Sequence, residues 1–334
     1  MNLHSPHQPA AAARTEHPPV TRDAPLFVVF NIGSGHGDAE AAKAVISGAC
    51  AAAGRRCELL VVQEAKQIGT LAQQAVQGAR QAGGIVVAAG GDGTLSAVAQ
   101  AALGSGCAFG VLPQGTFNYF SRTHGIPSDT AEAMQVLLHE PPQPVQVGLV
   151  NGRAFLVNAS VGLYPKLLED REAWKQQLGR SRVVAFGAAL ATLLGVARHL
   201  NLRVEANGLA HDLRTATLFV GNNALQMEQL GLPEARAIDA GSLAGLVLRP
   251  VGRPTMLWLM LRGALGRLGD ADQVLNFAFK RLTVRRQRGL GPRLVKVATD
   301  GEIQFLSMPL EFTVAPEALW LIRPRTPAPE RAAP

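Results

Sequence analysis

Between residues 26 and 112 the chain alternates short unbroken apolar runs with longer stretches whose apolar residues recur at helical spacing. Leu26–Phe30, Cys57–Val62, Ile85–Ala89 and Ala108–Leu112 read as strands, and 38–53, Ile68–Gln81 and Leu95–Leu103 as helices. Strands without a polar face, separated by helices, predict a parallel sheet covered on both sides, hence an α/β domain over residues 25–144. Past Pro144 the texture changes. Val145–Val150, Phe155–Val161, Leu202–Ala206, Ala216–Val220, Ser242–Leu248, Phe277–Val284, Leu294–Ala298 and Glu311–Val314 read as strands, interrupted by helices near Val183–Leu200 and Thr255–Leu268. That pattern predicts a β-rich second domain over residues 145–323. Residues 1–24 and 324–334 carry Pro and Ala without apolar periodicity and read as disordered tails. The first of them lacks the basic start and apolar stretch of a secretory signal.

Composition narrows the class. At 334 residues, 47% hydrophobic and 17% charged, the chain is too apolar to be disordered and too sparsely charged for a coiled coil. Its longest apolar run, Val183–Ala197, falls short of the roughly 18–20 residues needed to cross a bilayer and reads as a buried or interfacial helix. Cys50, Cys57 and Cys107 have neither zinc-site spacing nor the number for a disulfide framework, so a reduced, cytoplasmic setting fits. The net charge of +7 favours anionic partners. With 5% aromatics and no basic–aromatic alternation, nucleic acid is disfavoured. Phosphorylated small molecules and an acidic membrane surface remain.

The candidate chemistry sits on one edge. Parallel strands direct their carboxyl ends to the same side of the sheet, and ligands collect there. Three glycine-bearing loops fall on that edge: Asn31–Gly35, Gly90–Thr94 and Pro113–Thr116. Glycine lets a phosphate approach backbone amides, and a helix starting just after the loop adds its partial positive end. The middle loop, Gly90-Gly91-Asp92-Gly93-Thr94, places a carboxylate between glycines. Beside phosphates such a group needs a cation or hydrogen-bond donors, which makes Asp92 the candidate Mg²⁺ ligand, with Thr94 donating to phosphate or capping the helix. It is not a Walker loop, because no Gly-Lys-Ser/Thr follows.

Gly90–Thr94, followed about twenty residues later by Leu112-Pro113-Gln114-Gly115-Thr116-Phe117-Asn118, resembles the diacylglycerol kinase catalytic-domain family. Asn31-Ile32-Gly33-Ser34-Gly35 is similar to its first loop and Asp300-Gly301-Glu302 to its late Asp-Gly-Glu motif, so the resemblance spans Leu26 to Arg323. It implies a Rossmann-like N-terminal domain and a β-sandwich-like C-terminal domain, with ATP and Mg²⁺ in the cleft between them. It further implies transfer of the γ-phosphoryl group to a lipid hydroxyl. By the same analogy Asn31, Ser34 and Gly35 lie at the nucleotide, Gly90, Gly91, Asp92, Gly93, Thr94, Leu95 and Ser96 embrace its phosphates, and Gly115, Thr116 and Asn118 line the same pocket. An attacking hydroxyl must lose a proton, and the resemblance assigns its removal to Glu302. Asp300 is left to orient Glu302 or help place the metal. Residues 299–304 alone read equally well as an ordinary hairpin.

Two stretches depart from the family pattern. Tyr119 stands where many members carry Asp, which leaves the acceptor lipid open. Ala240 and Ala244 stand where some bacterial members carry the carboxylates of a structural Mg²⁺ site, which is expected to be absent here. The basic cluster Arg281, Arg285, Arg286, Arg288, Arg293 and Lys296 fits either a solvated strand face or a contact with anionic lipid. The apolar stretch Thr255–Leu268 fits a core helix or a lip through which lipid enters. Edge strands in the second domain leave room for pairing with another copy. The alternative readings are an NAD kinase, which shares the Gly-Gly-Asp-Gly-Thr loop, and a non-catalytic lipid- or nucleotide-binding relative.

Overall fold

The computed structural model describes residue 18 and residues 20–34, 39–162, 199–206, 208–287 and 294–325. The run Val183–Ala197, Gly35, Arg288, Arg293 and most of both tails lie outside the described residues.

The first half builds the expected α/β layer. In chain order it holds β1 (Leu26–Asn31), α1 (Ala39–Ala52), β2 (Cys57–Val62), α2 (Ile68–Ala82), β3 (Ile85–Gly90), α3 (Asp92–Ala102), β4 (Ala108–Pro113), α4 (Tyr119–Thr123), α5 (Thr130–His139) and β5 (Pro142–Val145). Every residue of β3 and β4 is buried, as strands covered on both faces require. On α2 the small residues Ala72, Ala75 and Ala79 are buried, and that helix ends where Gly83 turns left-handed. Asp129 caps α5 by accepting from the Glu132 amide at 2.9 Å.

The second half adds β6 (Gly148–Val150), β7 (Arg153–Phe155), β8 (Asn158–Gly162), β9 (Leu200–Ala206), β10 (Leu209–Thr215), β11 (Thr217–Gly221), α6 (Ala224–Gln229), α7 (Ala235–Asp239), β12 (Leu243–Leu248), α8 (Arg253–Ala264), β13 (Val274–Phe279), β14 (Arg281–Arg286), β15 (Leu294–Thr299), β16 (Glu302–Ser307), β17 (Leu310–Val314) and β18 (Leu319–Ile322). They form two antiparallel sheets, ordered β10-β9-β14-β17-β6-β7 and β13-β12-β11-β8-β15-β16. Phe155, Leu202, Leu282 and Phe312 of the one meet Val161, Leu218, Val247 and Val297 of the other in a shared apolar core, so the pair is a sandwich. The outer face of the second sheet is covered by α6, α7 and α8 through Met227, Ile238, Met256 and Leu259.

The stretch expected as one strand, Phe277–Val284, is two, broken at Lys280, and its halves β13 and β14 belong to different sheets. The chain also returns at its end to the first sheet, ordered β2-β1-β3-β4-β18-β5, with β18 parallel to β4 and antiparallel to β5. Helix α8 has one side in the core and one outside it: Met256 and Leu259 are buried, while Leu257, Trp258 and Leu261 are exposed.

The return of β18 places Arg323 against α4. Its guanidinium hydrogen-bonds Gln143 of β5 and reaches His124 Nδ1 at 3.2 Å. Burial, reinforced by the Arg323 charge, pulls the His124 pKa from 6.5 down to about 3. An unfolded chain therefore takes up this proton first, and the stability present above pH 6.5 is lost as pH falls towards 3. With the ring partly exposed, the loss at pH 5 is about 1–2 kcal/mol. His124→Asn, which keeps an acceptor for Arg323, is expected to melt with a flatter acid limb than wild type in parallel pH titrations. Identical acid limbs would refute the assignment.

Candidate active site

Strand order in the first sheet reverses between β1 and β3, since β2 lies to one side of β1 and β4 beyond β3. At such a switch point the loops leaving the two strands diverge and open a crevice. Asn31, ending β1, reaches across it, and its Nδ2 donates to Thr94 Oγ1 at 2.8 Å. Asn31 Oδ1 accepts from the Gly33 amide at 3.0 Å, folding residues 32–34 into a single tight turn. Helix α3 begins at Asp92, so its free N-terminal amides open on the crevice, the setting that suits an anion.

The third loop leans on the second. The Gln114 amide donates to the Gly90 carbonyl, and the Gly115 amide donates to Asn118 Oδ1 at 3.0 Å. A Cβ on Gly115 would lie 2.9 Å from the Gly91 Cα, so only glycine allows this approach. Asn118 adopts φ 47° and starts α4. Thr116 is exposed, and Phe117, 53% exposed, stacks on Tyr119 with ring centroids 6.0 Å apart.

Asp92 does more than its motif suggested. Its carboxylate lies beside the start of α4, where the backbone amides of Phe120, Tyr119 and Asn118 favour its charged form. Burial nevertheless raises its pKa above the ordinary carboxylate range, against the pull of those amides. Its Oδ1 is buried and has no partner among the described residues. An orphaned buried carboxylate oxygen at the mouth of an anion-binding loop fits a divalent cation.

The second domain supplies the opposite wall. Strands β15 and β16 pair Thr299 with Glu302 across a two-residue turn in which Asp300 and Gly301 have φ of 48° and 88°, the geometry of a type I′ hairpin. That turn carries Glu302 into the crevice: a Cβ on Gly93 would sit 3.0 Å from Glu302 Oε1. Asp92 and Glu302 therefore flank one cleft, and the hairpin and the site coincide.

Asp300 stands behind the cleft. Its Oδ2 accepts from the Leu156 amide at 2.7 Å, and its Oδ1 from those of Val157 and Asn158 at 2.8 and 2.9 Å. Burial raises its pKa to about 6, partly offset by these donors and by the Ser96 hydroxyl. Both oxygens are committed to anchoring the hairpin, which makes Asp300 a support for Glu302. The Ser96 hydroxyl likewise turns to the second domain, donating to the Ala154 carbonyl at 3.5 Å beside Asp300. The Leu95 side chain is fully buried in the first-domain core, because one turn past Asp92 the helix faces the sheet. Sequence reasoning missed Asn158, Asn222, Asn223 and Gln226, whose amides knit the cleft's far wall, since nothing local marks them. A cavity of about 1070 Å³ opens in the second domain, lined by Val161, Leu202, Arg203, Arg286, Lys296 and Met308, and none of the glycine loops reaches it.

Residues 25–150 match the family described as the diacylglycerol kinase catalytic domain. The "Probable lipid kinase YegS-like" of Pseudomonas aeruginosa is 32% identical over 242 residues, which cover 70% of this chain and 74% of that protein. A Synechocystis protein, "Uncharacterized protein sll0036", is 36% identical over 125 residues, 36% of this chain and 29% of its own length. A crystal structure of a diacylglycerol kinase from Bacillus anthracis superposes with a TM-score of 0.65 over 91% of this chain and 97% of that one. At 21% identity that last likeness is one of fold.

Proposed function

Because this chain belongs to the diacylglycerol kinase catalytic-domain family of lipid kinases, we propose that it transfers the γ-phosphoryl group of ATP, with Mg²⁺, to the hydroxyl of diacylglycerol or a related lipid. The observation that carries the reading is the meeting of Glu302 with Gly93 in the crevice where Asp92 keeps an unpartnered oxygen. The amides opening α3, with Asn31 and Thr94 at the mouth of the loop, are placed to receive the nucleotide phosphates. Asp92 Oδ1 is the oxygen that would hold Mg²⁺, which when bound neutralises charge on the phosphate oxygens. The Glu302 carboxylate takes the proton of the lipid hydroxyl as its oxygen bonds to the γ-phosphorus and the bond to ADP breaks. Exposed at the hairpin, Glu302 is reachable by an acceptor arriving from outside the cleft. The family matched and the Pseudomonas relative are named for lipid kinases, so the NAD kinase alternative is not carried forward.

The decisive experiment incubates the purified protein with radiolabelled ATP, Mg²⁺ and a mixed lipid extract, then identifies the labelled lipid. Label in a lipid phosphate is the expected result. Absence of label from every lipid, with binding of ATP intact, would leave a non-catalytic relative instead.

Substrate of this kind is reached at a membrane. No helix among the described residues is long and apolar enough to cross one. Leu257, Trp258 and Leu261 lie exposed on α8, Leu265 follows them, and the Arg262 guanidinium sits 4.7 Å over the Trp258 ring. A cation beside an exposed apolar ridge suits an anionic bilayer. Leu261→Glu is expected to lower co-sedimentation with phosphatidylglycerol vesicles several-fold while leaving the melting temperature unchanged. Undiminished co-sedimentation would remove α8 from the contact.

A further inference from the structure

Helix α4 has only five residues, too few to hold itself, so its orientation depends on what grips its ends. At its start, Asn118 Oδ1 accepts from the Gly115 amide, Gly115 lies against Gly91, and the amides of Asn118, Tyr119 and Phe120 lie beside the Asp92 carboxylate. Besides the burial of Phe120 and the Arg323 contact at His124, α4 is held by Asn223, a second-domain residue that is 2% exposed. Asn223 Oδ1 accepts from Thr123 Oγ1 at 3.0 Å, and Asn223 Nδ2 donates to the Tyr119 carbonyl at 3.3 Å. The same Oδ1 accepts from the Gln226 amide at 2.9 Å and so caps α6. One side chain thus grips α4 at its first and last residues and binds it to the opposite domain.

The attachment continues to the other wall of the cleft. The neighbouring Asn222 donates to the Leu156 carbonyl at 3.1 Å, the Leu156 amide donates to Asp300, and Asp300 begins the turn that presents Glu302. A cavity of about 250 Å³ lined by Thr123, His124, Asn223 and Arg323 adjoins the junction, so α4 has room to shift once released.

Resting on the kinase reading above, we infer that Asn223 is a positioning residue for phosphoryl transfer: by gripping α4 it fixes the orientation of the Asp92 carboxylate relative to Glu302. It touches neither reactant and acts through α4. Its loss leaves Asp92 in place with a less constrained carboxylate.

Asn223→Ser separates its two duties. Serine still caps α6 by accepting from the Gln226 amide, but it is too short to bridge to Thr123 and Tyr119. Thr123→Val removes one of the same bonds from the other side. In ligand-free protein, hydrogen exchange at the amides of residues 119–123 is expected to quicken in Asn223→Ser, with those of α6 unchanged. In lipid phosphorylation assays kcat is expected to fall about tenfold, with the KM for ATP within about twofold of wild type. The double variant is expected to be no worse than Asn223→Ser, because both changes break one link. Unchanged exchange in α4, an unchanged kcat, or additive losses would each overturn the inference. Thr123→Val carries the exchange and kcat tests if the serine variant does not fold. Should wild type itself transfer no phosphate to lipid, the kinase reading fails, and the exchange result still judges the grip on α4.

Discussion

Glu302→Gln is expected to lower kcat for lipid phosphorylation by about 10²–10⁴-fold, the range for removal of a general base. The amide is isosteric with the carboxylate, so the contact with Gly93 and the hairpin geometry survive. What it cannot do is accept the hydroxyl proton. Glu302 is exposed and its side chain makes none of the hydrogen bonds that anchor the turn, so the melting temperature is expected to stay within a degree or two of wild type. ATP binding, followed by equilibrium titration, is expected to be unaltered, because the nucleotide contacts proposed above belong to the first domain. A variant that keeps more than about a tenth of wild-type kcat would remove Glu302 from the chemistry and send the search for a base to Asp92.

The second large effect lies at Asp300 and is one of stability. Asparagine tolerates the positive φ of 48° at this position, so Asp300→Asn keeps the turn and alters only the carboxylate. Three buried amides now share one acceptor oxygen, and the new NH₂ group confronts the Leu156 or the Val157 and Asn158 donors. Leaving a buried donor unpaired costs about 1–3 kcal/mol, and loss of the charge on the remaining bonds adds to it. The expected loss is about 2–4 kcal/mol, a large share of the 5–15 kcal/mol typical of a domain. Urea denaturation at pH 8, above the raised pKa of about 6, measures it with the wild-type carboxylate ionised. Activity is expected to fall as well, because the hairpin that carries Glu302 loses its anchor. An unchanged urea midpoint would show that the three amides find other acceptors.

The first domain was legible almost residue by residue. The strands ending at Asn31, Val62, Gly90 and Pro113 and the helices between them follow from unbroken apolar runs and helical periodicity, which are local properties. Helix α5 went unread although its signal was present, with Asp129 as cap and Glu132 three residues on. The second domain was harder for a physical reason. Its strands are short and switch sheets, and β10 is exposed along nearly its whole length, so no buried alternation reveals it. Strand β18 has only four residues, and its place beside β4 depends on everything folded before it.

The same division runs through the site. Glycines at 90, 91, 93 and 115 and the carboxylates of Asp92 and Glu302 stand in short motifs whose residue types and spacing are local. That much is written in the chain itself. Tertiary structure alone decided that Glu302 closes on Gly93, that Asp92 sits beside the start of α4, that Asp300 anchors the hairpin, and that Asn223 joins the two walls. Each depends on bonds between residues far apart in sequence, and the geometry of such bonds exists only once both domains have packed.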